Sequence, residues 1–387
     1  MSIGSAKPEI SDIQYALILF ADIIDSSKYS AVLGIKNYAQ QLLELQETFN
    51  ALGAMYFPQK DPVFSHAYVK ARGDEGIIFY VDADSEAEDL IYKGVQFAFE
   101  LKARIEMLST LGNHNDPVPK RMKIGVGIHF GQVALISKIG QNEQGENISL
   151  ISGIEGFAIN YAKRIESCSR DGRYSKIFLS KEAASLLEDC PIVFEKHIAP
   201  IKGIETSKEV YEVRSAFLER MPYDPEWSES EKFIETYTSE SSEHDLLNEP
   251  WLKGLIISVL DSRLKSAHDI KIKADYSKRL SEIAWQKPTE DDPILLFWRA
   301  KECGAEGKHT QRLTYLKRIA ESFPYFVHAR KQLVAACYEI TKKTKERSEK
   351  IYARDVADEF LKRFPEYLTD QEKESFKGIL KKITKRK

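Results

Sequence analysis

A chain of 387 residues, 43% hydrophobic and 30% charged, is an ordinary globular mixture with enough length for two or three domains. A net charge of −3 advertises no strongly basic nucleic-acid-binding surface, and no apolar run approaches the roughly 20 residues of a membrane span. The cysteines (Cys168, Cys190, Cys303, Cys337) form no C-x-x-C pair, and the N-terminus lacks the apolar core of a signal peptide, so a reduced, cytoplasmic protein is expected.

Residues 1–12 form a polar arm. Ile13–Leu19 is an apolar run long enough for one buried strand. Phe20-Ala21-Asp22-Ile23-Ile24-Asp25-Ser26-Ser27 follows, and from about Lys28 to Leu52 the period is helical. An acid, a bend rich in small hydroxyl residues and a helix start can hold a hard cation beside a polyphosphate. The same residues also suit plain helix capping by Asp25 or Ser26. Ser65–Arg72 alternates as a strand, Gly73-Asp74-Glu75-Gly76 is a turn, and Ile77–Val81 is the return strand. A helix is predicted from about Ser85 to Leu108, then a loop over Gly112–Pro119. Arg121–Phe130 and Val133–Ile136 read as a second hairpin about Gly131-Gln132, and Gly140–Asn147 as a polar, mobile connection. Helices are predicted at Phe157–Ser167 and Lys181–Leu187, and short strands at Lys176–Leu179, Val193–Ile198 and Val210–Val213.

Strands joined by tight turns and interleaved with helices predict an α+β domain over residues 13–214, its sheet largely antiparallel with helices on one face. Residues 215–250, with Pro222, Pro225 and an acidic, serine-rich stretch, read as linker. From Trp251 to residue 387 the pattern is all-α. Phe323-Pro324-Tyr325 and Phe364-Pro365-Glu366-Tyr367 each follow a helix at a spacing of about 40 residues, which suits either an irregular helical domain or one resembling tetratricopeptide repeats with an insertion at Thr341–Glu349. The basic tail from Lys381 reads as a solvated end, with no nucleic-acid partner expected.

Asp22 ends the first strand and Asp74 sits at the tip of the next hairpin. If that hairpin pairs beside the first strand, both carboxylates reach one edge, where they repel or share cations. Mg²⁺ or Mn²⁺ suits such a place, since it takes few protein oxygens and completes its shell with phosphate and water. Asn160 and Arg164 stand at i and i+4 and project from one helix face; an amide beside a guanidinium suits a ribose oxygen and a phosphate oxygen, and equally an exposed arginine capped by asparagine.

Together these stretches resemble the class III nucleotidyl cyclases. The resemblance rests on Phe20-Ala21-Asp22-Ile23 with Ser26, on Lys70-Ala71-Arg72-Gly73-Asp74, and on Gly125-Val126-Gly127-Ile128-His129-Phe130-Gly131. It continues through Asn160-x-x-x-Arg164 and Ile201-Lys202-Gly203 with Val210-Tyr211-Glu212-Val213. It implies a ferredoxin-like catalytic domain that works as a homodimer with shared sites. Asp22, Asp74 and the Ile23 carbonyl would hold two divalent ions, Mg²⁺ or Mn²⁺. Asn160 would orient the ribose and Arg164 would stabilise charge on the α-phosphate, while Phe20, Ser26, Lys70 and Gly153 would line the nucleotide.

Adenylate cyclases of this pattern carry Asp or Thr seven residues before the Asn, where this chain has Gly153. Losing one hydrogen-bonding partner costs on the order of 1–3 kcal/mol, so adenine preference should fall. A cyclase with an altered base pocket and a helical appendage looks like the pyrimidine cyclases of Pycsar antiphage systems. That resemblance implies synthesis of cyclic UMP from UTP as a second messenger, with a phage trigger or partner acting on the helical region. The alternatives are a cytidylate or adenylate cyclase of the same mechanism, or a degenerate domain that binds nucleotide and regulates.

Overall fold

The computed structural model describes residues 9–58, 65–82, 84–108, 122–141, 147–200, 208–218, 249–285, 292–343 and 346–384. The readings made for Gly112–Pro119, for Ile201-Lys202-Gly203 and for most of the linker fall outside these residues.

The apolar run is longer than one face of a strand needs, and its burial says why. Every residue from Ala16 to Ala21 is buried, in the middle of β1 (Glu9–Ile23). On one face Ala16, Ile18 and Phe20 join a cluster with Ala158 and Ala162 of α3 (Phe157–Ser167). On the other, Leu17 lies against Gly94 of α2 (Ala87–Lys102). Helices therefore cover both faces of the sheet, which corrects the expectation of a single helical layer. A centre covered on both faces wants continuous apolar sequence, and an alternating strand would bury polar groups.

The β2–β3 hairpin (Ser65–Arg72 and Glu75–Asp82) forms as predicted, and β3 pairs antiparallel with β1, placing Glu75 opposite Asp22. The second predicted hairpin does not form. β4 runs unbroken over Ile124–Gln141, with Gly131 and Gln132 in the middle of its ladder opposite Ala16 and Tyr15. The glycine there answers packing rather than turning: a Cβ on Gly131 would lie 2.9 Å from Ala158 Cβ, and one on Gly127 2.2 Å from the Glu166 backbone nitrogen. These two glycines let α3 lie directly on β4. The hairpin partner of β4 is β5 (Asn147–Glu155), which the sequence reading did not separate. Gly140 and Asn147, read as parts of a mobile connection, face Ile148 and Gln141 in that ladder; residues 142–146 lie outside the described residues. β5 steps from Gly153 to Ile151 while β4 steps from Ile136 to Ser137, so a bulge shifts the phase of its apolar residues.

The sheet runs β2-β3-β1-β4-β6-β8-β7, with β5 attached to β4. Its remaining strands are β6 (Ile177–Ser180), β7 (Ile192–Ala199) and β8 (Lys208–Ala216), with α4 (Lys181–Leu186) following β6. β4 and β6 are parallel, and the other pairs with a defined register are antiparallel. This is an α+β fold. α1 (Ser26–Tyr56) departs from helical geometry at Gly34, where φ is 75° and ψ 160°. A π-helical turn, Ala103–Leu108, continues α2; there Lys102 and Glu106 form a buried ion pair, and both bond the Ile124 backbone at the start of β4.

The chain separates into two compact units. The first holds residues 1–187, 196–213 and 222–241, and the second 188–195, 214–221 and 242–387. Within the second are seven helices among the described residues: α5 (Pro250–Ser266), α6 (Ile270–Trp285), α7 (Pro293–Ala305), α8 (His309–Ser322), α9 (Val327–Lys343), α10 (Arg347–Arg363) and α11 (Asp370–Thr384). From α7 onward each packs on the next, and α8–α10 and α9–α11 also touch. Tyr325 and Tyr367, from the two similar Phe-Pro segments, meet edge to face with centroids 6.4 Å apart. The strand ends grouped here are fixed by the helices: Arg214 lies over the Phe323 ring, Ser215 bonds the Pro250 carbonyl at 2.7 Å, and Lys331 pairs with Asp189. No described helix is long and apolar enough to cross a membrane, and no disulfide links the four cysteines.

Candidate active site

Register places the two sequence-predicted acids. Asp22 is the penultimate residue of β1, and Asp74 follows Gly73, whose φ of 63° makes the tight turn between β2 and β3. The Ile23 N–H donates to the Asp74 carbonyl at 3.2 Å, which fastens the hairpin tip to the strand that carries Asp22. The turn is fixed from α1 as well, by Gln46 donating to the Gly73 carbonyl at 3.0 Å.

Burial pushes the Asp22 carboxyl above the usual range, and the charges of Asp74 and Glu75 push the same way, while Lys163 and Arg170 oppose them. A carboxylate crowded by others is stabilised by any cation that arrives. Lys163 of α3 supplies one: its Nζ lies 3.1 Å from Glu75, 3.1 Å from Glu166 and 3.8 Å from Asp22, and 5.6 Å from the Phe20 ring centroid. Burial works against the charged Lys163 amine, yet Glu166, Asp22 and Glu75 together hold its pKa above the ordinary value. Glu166 is itself raised by burial, partly offset by Lys163.

Helix α1 begins beside this cluster. Asp25, its N-cap, has a left-handed φ of 58°, makes no side-chain cap bond, and pairs with Lys28 at 2.6 Å. That contact lowers the Asp25 pKa. Ser26, the first helical residue, hydrogen-bonds the Tyr38 hydroxyl. Burial raises the Tyr38 pKa, and the charges of Asp74 and Asp22 add to it. Tyr38 follows the break at Gly34 in the same helix.

The other predicted residues stand elsewhere. The Phe20 ring is in the core, edge to face with Phe79 at 6.2 Å. Lys70 is exposed on β2 opposite Ile77, and Gly153 lies on β5 opposite Ile136, next to the bulge. On α3 Asn160 is exposed and Arg164 half-buried. Arg164 opens onto a cavity of about 400 Å³ lined also by Ser167, Asp171, Phe178 and His197; neither Asp22 nor Asp74 lines it. The chain thus gathers Asp22, Asp74, Ile23 and Ser26 at one end of the sheet and presents Asn160 and Arg164 separately.

The donor set at the acid end is oxygen only: two carboxylates and a backbone carbonyl, with Lys163 already standing as a cation among the acids. These are hard donors suited to Mg²⁺ or Mn²⁺. Among the described residues no group of three or more His, Cys, Asp or Glu is arranged to hold an ion by itself, so such an ion would draw further oxygens from phosphate and water.

The chain is similar to adenylyl and guanylyl cyclases. The adenylyl cyclase CyaB from P. aeruginosa is 19% identical with a TM-score of 0.40, over 52% of this chain and 95% of that one. A bacterial light-regulated adenylyl cyclase is 15% identical with a TM-score of 0.39, over 54% of this chain and 53% of that one, so this chain spans about half of its length. The catalytic core of a rhodopsin-guanylyl cyclase with converted specificity, solved with ATPalphaS, is 18% identical with a TM-score of 0.38, over 54% of this chain and 97% of that one. No protein-family model and no curated protein matches the sequence.

Sequence reasoning passed over Lys163, Glu75, Glu166 and Tyr38. Glu75 adjoins Asp74 in the turn already singled out, and Lys163 adjoins Arg164, so both were visible as neighbours of candidates. Tyr38 reaches Ser26 through the break at Gly34, which the helical period of α1 conceals.

Proposed function

We propose that this chain is a nucleotidyl cyclase converting a nucleoside triphosphate, UTP in first place, to its 3′,5′-cyclic monophosphate and pyrophosphate. The observation that carries the reading is the convergence of Asp22 and Asp74, fastened by the Ile23–Asp74 hydrogen bond, at the end of the sheet where α1 begins with Ser26. Asp22, Asp74 and the Ile23 carbonyl would hold two divalent ions there. When bound, such ions lower the pKa of the ribose 3′-hydroxyl and neutralise the triphosphate. The N–H groups at the start of α1 face the phosphates. Asn160 fixes the ribose so that its 3′-oxygen lies in line with the α-phosphorus, and Arg164 donates to the oxygens on which charge accumulates. No side chain is needed as a nucleophile, since the attacking oxygen belongs to the substrate.

The separate placement of Arg164 and the acids supports a homodimer with two shared sites, each taking its acids from one chain and Asn160, Arg164 and Lys70 from the other. Gly153 leaves no side chain to hold adenine's amine, and Lys70 can donate to the carbonyls of uracil. Together with the helical unit, read as tetratricopeptide-like pairs that dock a partner or phage-derived trigger, this supports a role in antiphage signalling. Incubation with equal ATP, GTP, CTP and UTP and Mn²⁺ tests the reading: cyclic UMP and pyrophosphate should dominate. Dominant cyclic CMP would revise the base, dominant cyclic AMP would overturn the pocket reading, and no cyclic product would overturn the enzyme.

A further inference from the structure

Resting on the assignment of divalent ions to Asp22 and Asp74, we infer that Lys163 is a tethered counter-ion that occupies the acid cluster before metal arrives and must be displaced from Asp22 as it loads. Three carboxylates from three elements converge on its amine: Asp22 from β1, Glu75 from the start of β3, and Glu166 one turn along α3. The contacts are graded. Glu75 and Glu166 each lie at 3.1 Å, within hydrogen-bond range, whereas Asp22 lies at 3.8 Å, too far for one. The amine can therefore withdraw from Asp22 toward Glu166 without losing its charge partner. The Glu166 side chain is 3% exposed and fixed, while the Lys163 side chain is 35% exposed on a flexible stem that passes Phe20. One partner is an anchor and the other can move.

The consequence is selective. A cation this close to Asp22 repels a divalent ion and offsets part of the attraction of the acids, so the ion alone binds poorly. A nucleotide triphosphate brings the negative charge that compensates the lysine, and metal and nucleotide then enter together. Lys163 is a positioning residue here and acts on the loading of metal rather than on the reacting atoms.

The test is Mn²⁺ binding to the full-length protein without nucleotide, read by electron paramagnetic resonance. Lys163→Met keeps the stem over Phe20 and removes the charge. It should bind Mn²⁺ on the order of tenfold tighter than wild type, the effect of one nearby charge at a partly solvated site. Lys163→Gln should do the same, and Lys163→Arg should bind as wild type does. Adding Asp22→Asn to Lys163→Met should abolish the gain. Unchanged or weaker binding in Lys163→Met, with Asp22→Asn still reducing wild-type binding, would overturn the counter-ion and leave the metal assignment standing. Binding that is absent or indifferent to Asp22→Asn in both backgrounds would overturn both.

Discussion

The two halves of the candidate site are built differently. Asp22 and Asp74 sit where backbone ladders end, and their positions follow from strand register, a glycine turn and the Ile23–Asp74 hydrogen bond. Asn160 and Arg164 sit on one helix whose place depends on side-chain packing against β4, and Arg164 faces a cavity that the acids do not line. The first half brings Asp22, Asp74 and the Ile23 carbonyl together within one chain. Among the described residues, the cavity onto which Arg164 opens is lined by neither Asp22 nor Asp74. On the proposed reading a second copy joins the halves, since a two-fold axis would bring each half to the other's counterpart.

The largest effect should come from breaking the register-built half. On the proposed reading each acid is a cation ligand, so Asp22→Ala or Asp74→Ala should lower turnover with every nucleotide by at least about a thousandfold. Circular dichroism and thermal unfolding should show an intact fold. Arg164→Ala breaks the packed half and should lower kcat by roughly 10²–10³ with KM little changed, as expected when a group that meets developing charge is lost. A fall confined to KM would assign Arg164 to ground-state binding instead. The smallest effect separates burial from chemistry. Asp22 has a folded pKa above its unfolded value, so its contribution to stability is present below the unfolded value of about 3.8 and is lost as pH rises through the folded pKa. At neutral pH the metal-free protein therefore carries an unfavourable charge there. Asp22→Asn should raise Tm at pH 7 and leave it unchanged at pH 3. An equal shift at both would place the effect in packing rather than charge.

The same contrast explains what the sequence discloses. The β2–β3 hairpin and its acid tip are local, since Gly73-Asp74-Glu75-Gly76 specifies the turn whatever lies around it. Gly131 is not local. In isolation a glycine after Phe130 looks like a turn, and only the approach of Ala158 explains its place inside a strand. β5 does not read as a strand in the sequence, since Leu150-Ile151 interrupts its alternation. The continuous apolar run of β1 fits two covered faces, yet by itself it indicates only burial. Lys163 is the extreme case: one basic residue beside another on a helix says nothing until three acids from elsewhere in the fold meet it.

The measurement that tests the shared site most directly is complementation between two inactive variants. Asp22→Ala and Arg164→Ala chains, unfolded together and refolded as a mixture, give hybrid dimers in which one site keeps both wild-type halves. Random pairing leaves about a quarter of all sites intact, so about a quarter of wild-type turnover should return. Hybrid dimers verified by mass that remain as inactive as either parent would contradict the shared site and place all the catalytic groups within one chain.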